Sequence, residues 1–195
     1  MKTSTSILFL RFIEKKTKIQ DFEKWIYESE SLEEELPDET YTELISLDFN
    51  DKSIRKIVTE LVFPLLDVGN AHKQQLIELI SEILDKKIDP IAGISELHYN
   101  WLDEKGYLFL SNNTTIANFG EQGKSIVSRT DFSNELTIDE KWKLVKSDDT
   151  SFIDYLVKTK TKLEDGRIRL TGNFKEVKFY GLQFEYEEKS TQQHL

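Results

Sequence analysis

Residues 19–49 read IQDFEKWIYESESLEEELPDETYTELISLDF, and this stretch decides the fold of the first part of the chain. Apolar residues recur along it at helical spacing, and acidic residues fill the positions between them. The pattern predicts a helix over about residues 18–29, a short helix from Ser31, and a third over about 38–48, with Pro37 either ending the second helix or standing in the first turn of the third. The residues that this spacing turns inward are Ile19, Phe22, Trp25, Ile26, Leu32, Leu36, Tyr41, Leu44 and Ile45.

Two short motifs indicate how the first two of these helices begin. Thr17-x-x-Gln20 and Ser31-x-x-Glu34 both have the form of a capping box. In that motif the hydroxyl and the side chain three residues later each satisfy a backbone N–H that the first helical turn leaves without a partner. The sequence therefore predicts hydroxyl caps at Thr17 and Ser31.

The rest of the first half is also predicted to be helical, since helical periodicity, caps and breakers recur along it. Four further helices are expected: residues 5–15, a helix from Asn50 or Asp51 to Pro64, residues 71–87 after Gly69-Asn70, and a helix from Asp89-Pro90 to Gly106. For residues 5–15, apolar on nearly all sides, periodicity alone leaves a strand open.

After Gly106 the sequence changes to short runs rich in β-branched and aromatic residues. Strands are predicted at Tyr107–Leu110, Thr114–Phe119 and Lys124–Arg129, a strand or helical turn at 136–146, a helix (or strand) at 150–163, and a hairpin of Gly166–Thr171 and Val177–Tyr186 turning at Gly172-Asn173. The expected fold class is α+β, with a helical region of antiparallel helices at 1–105 and a mixed region at 106–195 that ends in the hairpin. The two are expected to pack as one compact unit.

The charge of the chain is concentrated in one segment. Residues 21–50 contain eleven Asp or Glu and a single basic residue, Lys24, so that this segment carries −10, equal to the net charge of the whole chain. Residues 1–20 carry +4 and residues 51–195 carry −4. Such a segment produces a local negative field that attracts basic partners and repels nucleic acid. The plainer interpretation is a solvated acidic helix face.

The sequence offers no recognisable catalytic machinery, cofactor motif or metal motif. The chain has no cysteine, and its three histidines, His72, His98 and His194, are interpreted as packing or surface residues. The Gly-Lys-Ser ending at Gly123 lacks the spacing of a phosphate-binding loop, and the acidic residues lack the spacing of an EF-hand. We therefore expect a protein that is not an enzyme and binds no cofactor or metal.

Partners other than proteins are also disfavoured. The basic residues of 141–178 are mixed with acidic ones in a chain of net charge −10, which predicts weak attraction to phosphates and hence no nucleic-acid binding. The apolar run Ile7–Ile13 is interrupted by Arg11 and is shorter than the ~20 residues of a membrane span. We expect a cytoplasmic protein without membrane association. The sequence leaves the oligomeric state undetermined.

Three apolar patterns follow one another in the first third of the chain: Ile7–Ile13, then Ile19-x-x-Phe22-Glu23-x-Trp25-Ile26-Tyr27 with Leu32-Glu33-x-x-Leu36, then Tyr41-x-x-Leu44-Ile45-Ser46-Leu47-Asp48-Phe49. Their order over about residues 7–66 resembles the N-terminal part of immunity proteins encoded beside bacterial polymorphic or contact-dependent toxins. The resemblance implies a non-enzymatic inhibitor that plugs a cognate toxin domain, often a basic nuclease. It transfers no binding residues.

The candidate binding residues are chosen from the acidic segment because of its charge. Carboxylates that mimic phosphate would bring fast and salt-sensitive association with an electropositive cleft, and an exposed tyrosine would serve as an anchor. The candidate partner-binding residues are Tyr27, Glu28, Glu30, Glu33, Glu34, Glu35, Asp38, Glu39 and Tyr41. The tyrosines would equally suit packing between helices. A regulatory or adaptor module, and a small hydrolase with an unrecognised site, are the alternatives.

Overall fold

A computed structural model describes residues 1–119, 136–148, 150–177 and 181–189. The chain divides into two compact units, Met1–His72 and Lys73–Leu195, and the boundary lies inside a helix. The boundary predicted near residue 105 marks an expected change in secondary structure, whereas the boundary at residue 72 separates two compact units. The predicted fold class is confirmed: helices dominate and an antiparallel hairpin ends the described chain.

The first unit is built from short helices. They are α1 (Thr3–Ile13), α2 (Ile19–Glu28), α3 (Leu32–Glu35), α4 (Asp38–Ile45) and α5 (Ile54–Val62), followed by a 3₁₀ turn at Phe63–Leu65 and the start of α6 (Val68–Leu84). The helix predicted over 5–15 and the three predicted within residues 18–48 are thereby confirmed. Pro64 lies in the 3₁₀ turn, where its missing N–H ends the α-helical pattern of α5.

Aromatic residues of α1 and α2 form the centre of the first core. The rings of Phe12 and Phe22 stack at 3.8 Å, and the ring of Phe9 meets that of Phe22 edge-on at 5.7 Å. Leu32 and Leu44 are also fully buried and attach α3 and α4 to this core. Full burial of such side chains contributes about 1.5–3 kcal/mol each. The inward positions predicted from the helical spacing are therefore the ones that hold this unit together.

Arg55 joins α5 to the end of α1. Its guanidinium donates hydrogen bonds to the carbonyl oxygens of Phe12 and Thr17, the latter at 2.7 Å, and lies 4.3 Å from the centre of the Phe12 ring. Carbonyls at the end of a helix lack partners within the helix, and a cation there also complements the helix dipole. Arg55 therefore caps α1 from a distant helix.

We expect Arg55→Lys to lower the free energy of unfolding by about 1–2 kcal/mol, because an ammonium cannot reproduce the two-pronged hydrogen bonding. Urea unfolding followed by far-UV circular dichroism measures the change. Arg11→Lys, at an exposed position on α1, is the control and should be nearly neutral. Equal stability of the Arg55 and Arg11 variants would show that the cap contributes nothing.

Lys15 ends α1 in the left-handed region, with φ of 62°. The N–H of Lys16 bonds to the carbonyl of Arg11 across this turn, which is the hydrogen-bonding pattern of a glycine-terminated helix. A side chain with a Cβ is disfavoured in this conformation. The chain thus carries strain at this position.

We expect Lys15→Gly to raise the free energy of unfolding by about 0.5–1 kcal/mol, because glycine adopts positive φ without strain. Lys24→Gly, at an exposed position within α2, should lower the free energy of unfolding by a similar amount. Thermal unfolding of both variants tests this. Destabilisation by both glycines would contradict the assigned conformation.

The predicted helix starts are wrong in detail. Neither Thr17 nor Ser31 caps a helix through its hydroxyl: α2 begins after Lys18, and the Ser31 hydroxyl bonds to Glu35 instead. Gly69-Asn70 lies inside the first turn of α6, because the Asp67 carboxylate accepts the Asn70 N–H and starts the helix earlier. At Ser31 and at Asn70 a nearby carboxylate that accepts the hydrogen bond explains the difference.

The second unit contains helices of three kinds and a hairpin. Its described elements are the rest of α6, then α7 (Pro90–Glu96), a π-helix (Leu97–Glu104), a 3₁₀ helix (Leu108–Asn112), α8 (Thr114–Ala117), α9 (Ile138–Asp148), α10 (Phe152–Glu164), β1 (Ile168–Val177) and β2 (Gly181–Glu188). The predicted start at Asp89-Pro90 is confirmed, since the Asp89 carboxylate accepts the N–H groups of Ile91 and Ala92. The predicted helix near 150–163 is confirmed as α10.

Two predicted strands are wrong. Tyr107–Leu110 and Thr114–Phe119 form the 3₁₀ helix and α8 instead. The Asn113 side chain caps α8 by accepting the Ile116 N–H, and the aromatic residues of this region are buried in the core. Tertiary burial thus overrode β propensity. Residues 136–146, left open between strand and helix, belong largely to α9, and the strand predicted at Lys124–Arg129 lies outside the described residues.

The predicted C-terminal hairpin is confirmed, but its predicted turn is wrong. β1 pairs antiparallel with β2, with Ile168 opposite Glu188 and Val177 opposite Gly181, so the chain does not reverse at Gly172-Asn173. The register instead shifts between Leu170 and Phe174, where Gly172 has φ of 77°. Gly172 therefore permits an irregularity within β1, a common position for glycine in strands.

The core of the second unit includes an aromatic stack. The ring of Tyr107 lies 6.0 Å from that of Trp101 and 6.1 Å from that of Phe184, joining the π-helix to β2. The N–H of Phe184 also bonds to the Lys105 carbonyl at 2.8 Å. Among the described helices, none combines the length and apolar character that crossing a membrane requires.

Candidate protein-docking surface

Six of the predicted binding carboxylates are exposed to solvent within a twelve-residue stretch. They lie at the end of α2, along α3, at the start of α4 and between these helices. We call this set the acidic surface; its members are Glu28, Glu30, Glu33, Glu34, Asp38 and Glu39. Asp38 and Glu39 lie in the first turn of α4, where negative charge is favourable for the helix. The exposed carboxylates thus lie along one short segment of the first unit.

The two candidate tyrosines differ in their surroundings. Tyr27 is 57% exposed, and its hydroxyl donates to the Ile45 carbonyl at 3.2 Å while its ring meets Phe49 edge-on. Tyr41 is half-buried and packs against the core of the first unit. Tyr27 therefore presents an exposed aromatic ring, fixed by these two contacts, next to the acidic surface. Tyr41 contributes mainly to packing.

Glu35 differs from the carboxylates of the acidic surface because its side chain is turned into the protein, whereas Glu28, which pairs with Lys24 at 3.8 Å, stays exposed. The side chain of Glu35 is only 8% exposed. One oxygen accepts from the Lys2 ammonium and from the Ser31 hydroxyl, and the other accepts from the Lys2 backbone N–H, each at 2.9 Å. The sequence-based grouping of Glu35 with the exposed acids missed this role, since Lys2 is 33 residues away.

These contacts determine the ionisation of Glu35. Burial of the carboxyl opposes its ionisation, but hydrogen bonds from Lys2, Thr5 and Ser31 outweigh burial and lower the pKa to about 2. Lys2 responds in the opposite direction: its hydrogen bond and charge interaction with Glu35 raise its pKa. The pair is therefore fully ionised near neutral pH.

Both described histidines are buried. Nε2 of His72 lies 3.6 Å from a Glu14 carboxylate oxygen. Nδ1 of His98 lies 2.7 Å from the Ile116 carbonyl oxygen, and its Nε2 lies 3.4 Å from an Asp103 oxygen. His98 and Asp103 are five residues apart, which is the spacing of the hydrogen bonds in a π-helix, and an α-helical pattern would not have brought them together. Their burial fits the packing interpretation.

The hairpin carries a concave surface that encloses about 360 Å³. Its charged lining is mixed, with Arg169 and Lys175 from β1 and Glu185 and Glu187 from β2, and Arg169 pairs with Glu187 opposite it at 3.1 Å. Neither sign of charge dominates there. Within the described parts of the chain, no three histidine or carboxylate side chains are grouped as a metal site would need.

Comparison with known proteins found no matching family model, no similar curated protein and no similar solved structure. The resemblance to immunity proteins therefore stays a prediction from the sequence.

We expect Glu35→Gln to destabilise the protein most at neutral pH and progressively less on acidification. The Glu35 carboxyl keeps its charge to lower pH in the folded protein than in the unfolded chain. Its contribution to the free energy of unfolding is therefore complete above the ordinary pKa of 4.5 and is lost as the pH falls towards the folded pKa of about 2. Urea unfolding of wild type and variant between pH 7 and pH 3 measures the difference.

Glu34→Gln, at the exposed position next to Glu35, is the matched control, and its free energy of unfolding should stay close to that of wild type at every pH. If the deficit of Glu35→Gln were the same at every pH, the ion pair with Lys2 would not be its cause.

Proposed function

We propose that this protein is a non-enzymatic binding protein that docks its acidic surface onto a cationic protein. In its specific form the proposal is an immunity-type inhibitor that acts in the bacterial cytoplasm on a basic toxin domain. The observation that carries it is the exposure of six carboxylates within twelve residues, in the segment that holds the charge of the whole chain. The resemblance of residues 7–66 supports the specific form.

Charge of this density has a defined physical effect on association. It raises the rate at which an oppositely charged protein is encountered, and that rate falls steeply with ionic strength. An aromatic ring such as Tyr27 adds contact area that salt does not screen. A nuclease cleft, which must attract phosphates, offers the complementary potential.

The alternative of the same kind is a regulatory or adaptor module with several partners. Both functions use the acidic surface, so the number and activity of the partners separate them. A single basic partner whose own activity is suppressed by this protein favours an inhibitor. Several partners with unaffected activities favour an adaptor.

We expect the tagged protein to retain one dominant basic partner from its native host at low salt and to lose it at high salt. The surface variant carries Glu33→Gln, Glu34→Gln, Asp38→Asn and Glu39→Gln, and its association rate should fall by about tenfold or more. The measurement is capture with mass spectrometry, then surface plasmon resonance with the captured protein at several salt concentrations.

The control variant carries Glu78→Gln, Glu104→Gln, Asp154→Asn and Glu185→Gln, which are exposed positions of the second unit. It removes the same number of charges of the same kinds and should retain the partner. Equal weakening in both variants would mean that overall charge alone matters. Equal retention by both would overturn the assignment of binding to the acidic surface.

A further inference from the structure

The acidic surface depends on a helix that is too short to be stable by itself. α3 has four residues, and it carries Glu33 and Glu34, two of the exposed carboxylates. A single helical turn fixes several backbone dihedrals for very few hydrogen bonds, so it forms only where tertiary contacts hold it. The positions of Glu33 and Glu34 therefore depend on the tertiary contacts that hold α3 in place.

Three side chains of this segment point inward and supply the anchors. Leu32 is fully buried and Leu36 is 5% exposed, and both belong to the core of the first unit. Apolar contacts hold a segment close but restrict its rotation weakly. Glu35 adds directional bonds from Lys2, the residue that precedes α1, through its backbone N–H and its ammonium, and a bond from Ser31.

We propose that Glu35 is a positioning residue for the acidic surface: its ion pair with Lys2 fixes α3 against α1 and thereby prearranges Glu33 and Glu34 for a cationic partner. This inference rests on the proposed function. Glu35 itself touches no partner. Binding to a prearranged surface avoids the cost of ordering it during association, so loosening α3 weakens binding.

Lys2 provides a test in which charge and position act in opposite directions. Lys2→Ala makes the protein more negative, so charge alone would tighten the binding of a cationic ligand. Loss of the anchor weakens it. Lys18→Ala is the matched control, because Lys18 precedes α2 just as Lys2 precedes α1, and neither lysine caps its helix through the side chain.

The first experiment is amide hydrogen exchange in the protein without a partner. We expect Lys2→Ala to speed exchange within residues 32–36 by about tenfold while residues 19–28 stay unchanged. Lys2→Arg keeps the ion pair and should restore wild-type exchange. Unchanged exchange within residues 32–36 in Lys2→Ala would overturn the positioning role.

The second experiment measures the affinity of an oligoarginine peptide at low salt by fluorescence anisotropy. We expect binding to be at least about twofold weaker for Lys2→Ala, equal or tighter for Lys18→Ala, and unchanged for Lys2→Arg. If Lys2→Ala bound as tightly as Lys18→Ala, the positioning role would be refuted. If Glu33→Gln with Glu34→Gln left peptide affinity unchanged, the proposed function would fail, while the exchange result would still decide the anchor.

Discussion

The first unit depends on apolar burial that overcomes the mutual repulsion of its own acidic segment. Residues 21–50 carry a net charge of −10, and compaction brings those charges closer together. Phe22, Leu32 and Leu44 offset that cost by entering one core, in which Phe12 stacks on Phe22. Most of the acids then occupy the outward positions, where water screens them, while Glu35 turns inward and pairs with Lys2. One alternating pattern thus produces both the fold and the acidic surface.

Although the predicted helix starts at Thr17, Ser31 and Gly69-Asn70 were wrong, the sequence predicted well most features that depend on local periodicity and on adjacent residues. The helices of the first unit, the Asp89-Pro90 start and the C-terminal hairpin belong to this class. The strands predicted at Tyr107–Leu110 and Thr114–Phe119 failed because burial of aromatic residues outweighed β propensity. The hairpin turn failed because glycine permits an irregular strand as readily as a turn, and only the partner strand decides between them.

At the candidate surface, too, the sequence predicted the features that depend on local spacing and missed those that depend on distant contacts. Exposure of Glu33, Glu34 and their neighbours follows from the helical spacing of Leu32 and Leu36, so the sequence was enough to propose them. The inward role of Glu35 depends on Lys2, 33 residues away, and no local pattern indicates it. The contact of His98 with Asp103 likewise needs a π-helix. Long-range pairing and unusual helix winding are therefore what the sequence did not reveal.

The most direct measurement of the central claim is a hydrogen-exchange footprint of the protein with and without its captured partner. We expect the partner to slow exchange of amides within residues 28–39 and to leave the hairpin, residues 168–188, unchanged. Protection confined to residues beyond 72, with residues 28–39 unaffected, would contradict docking through the acidic surface.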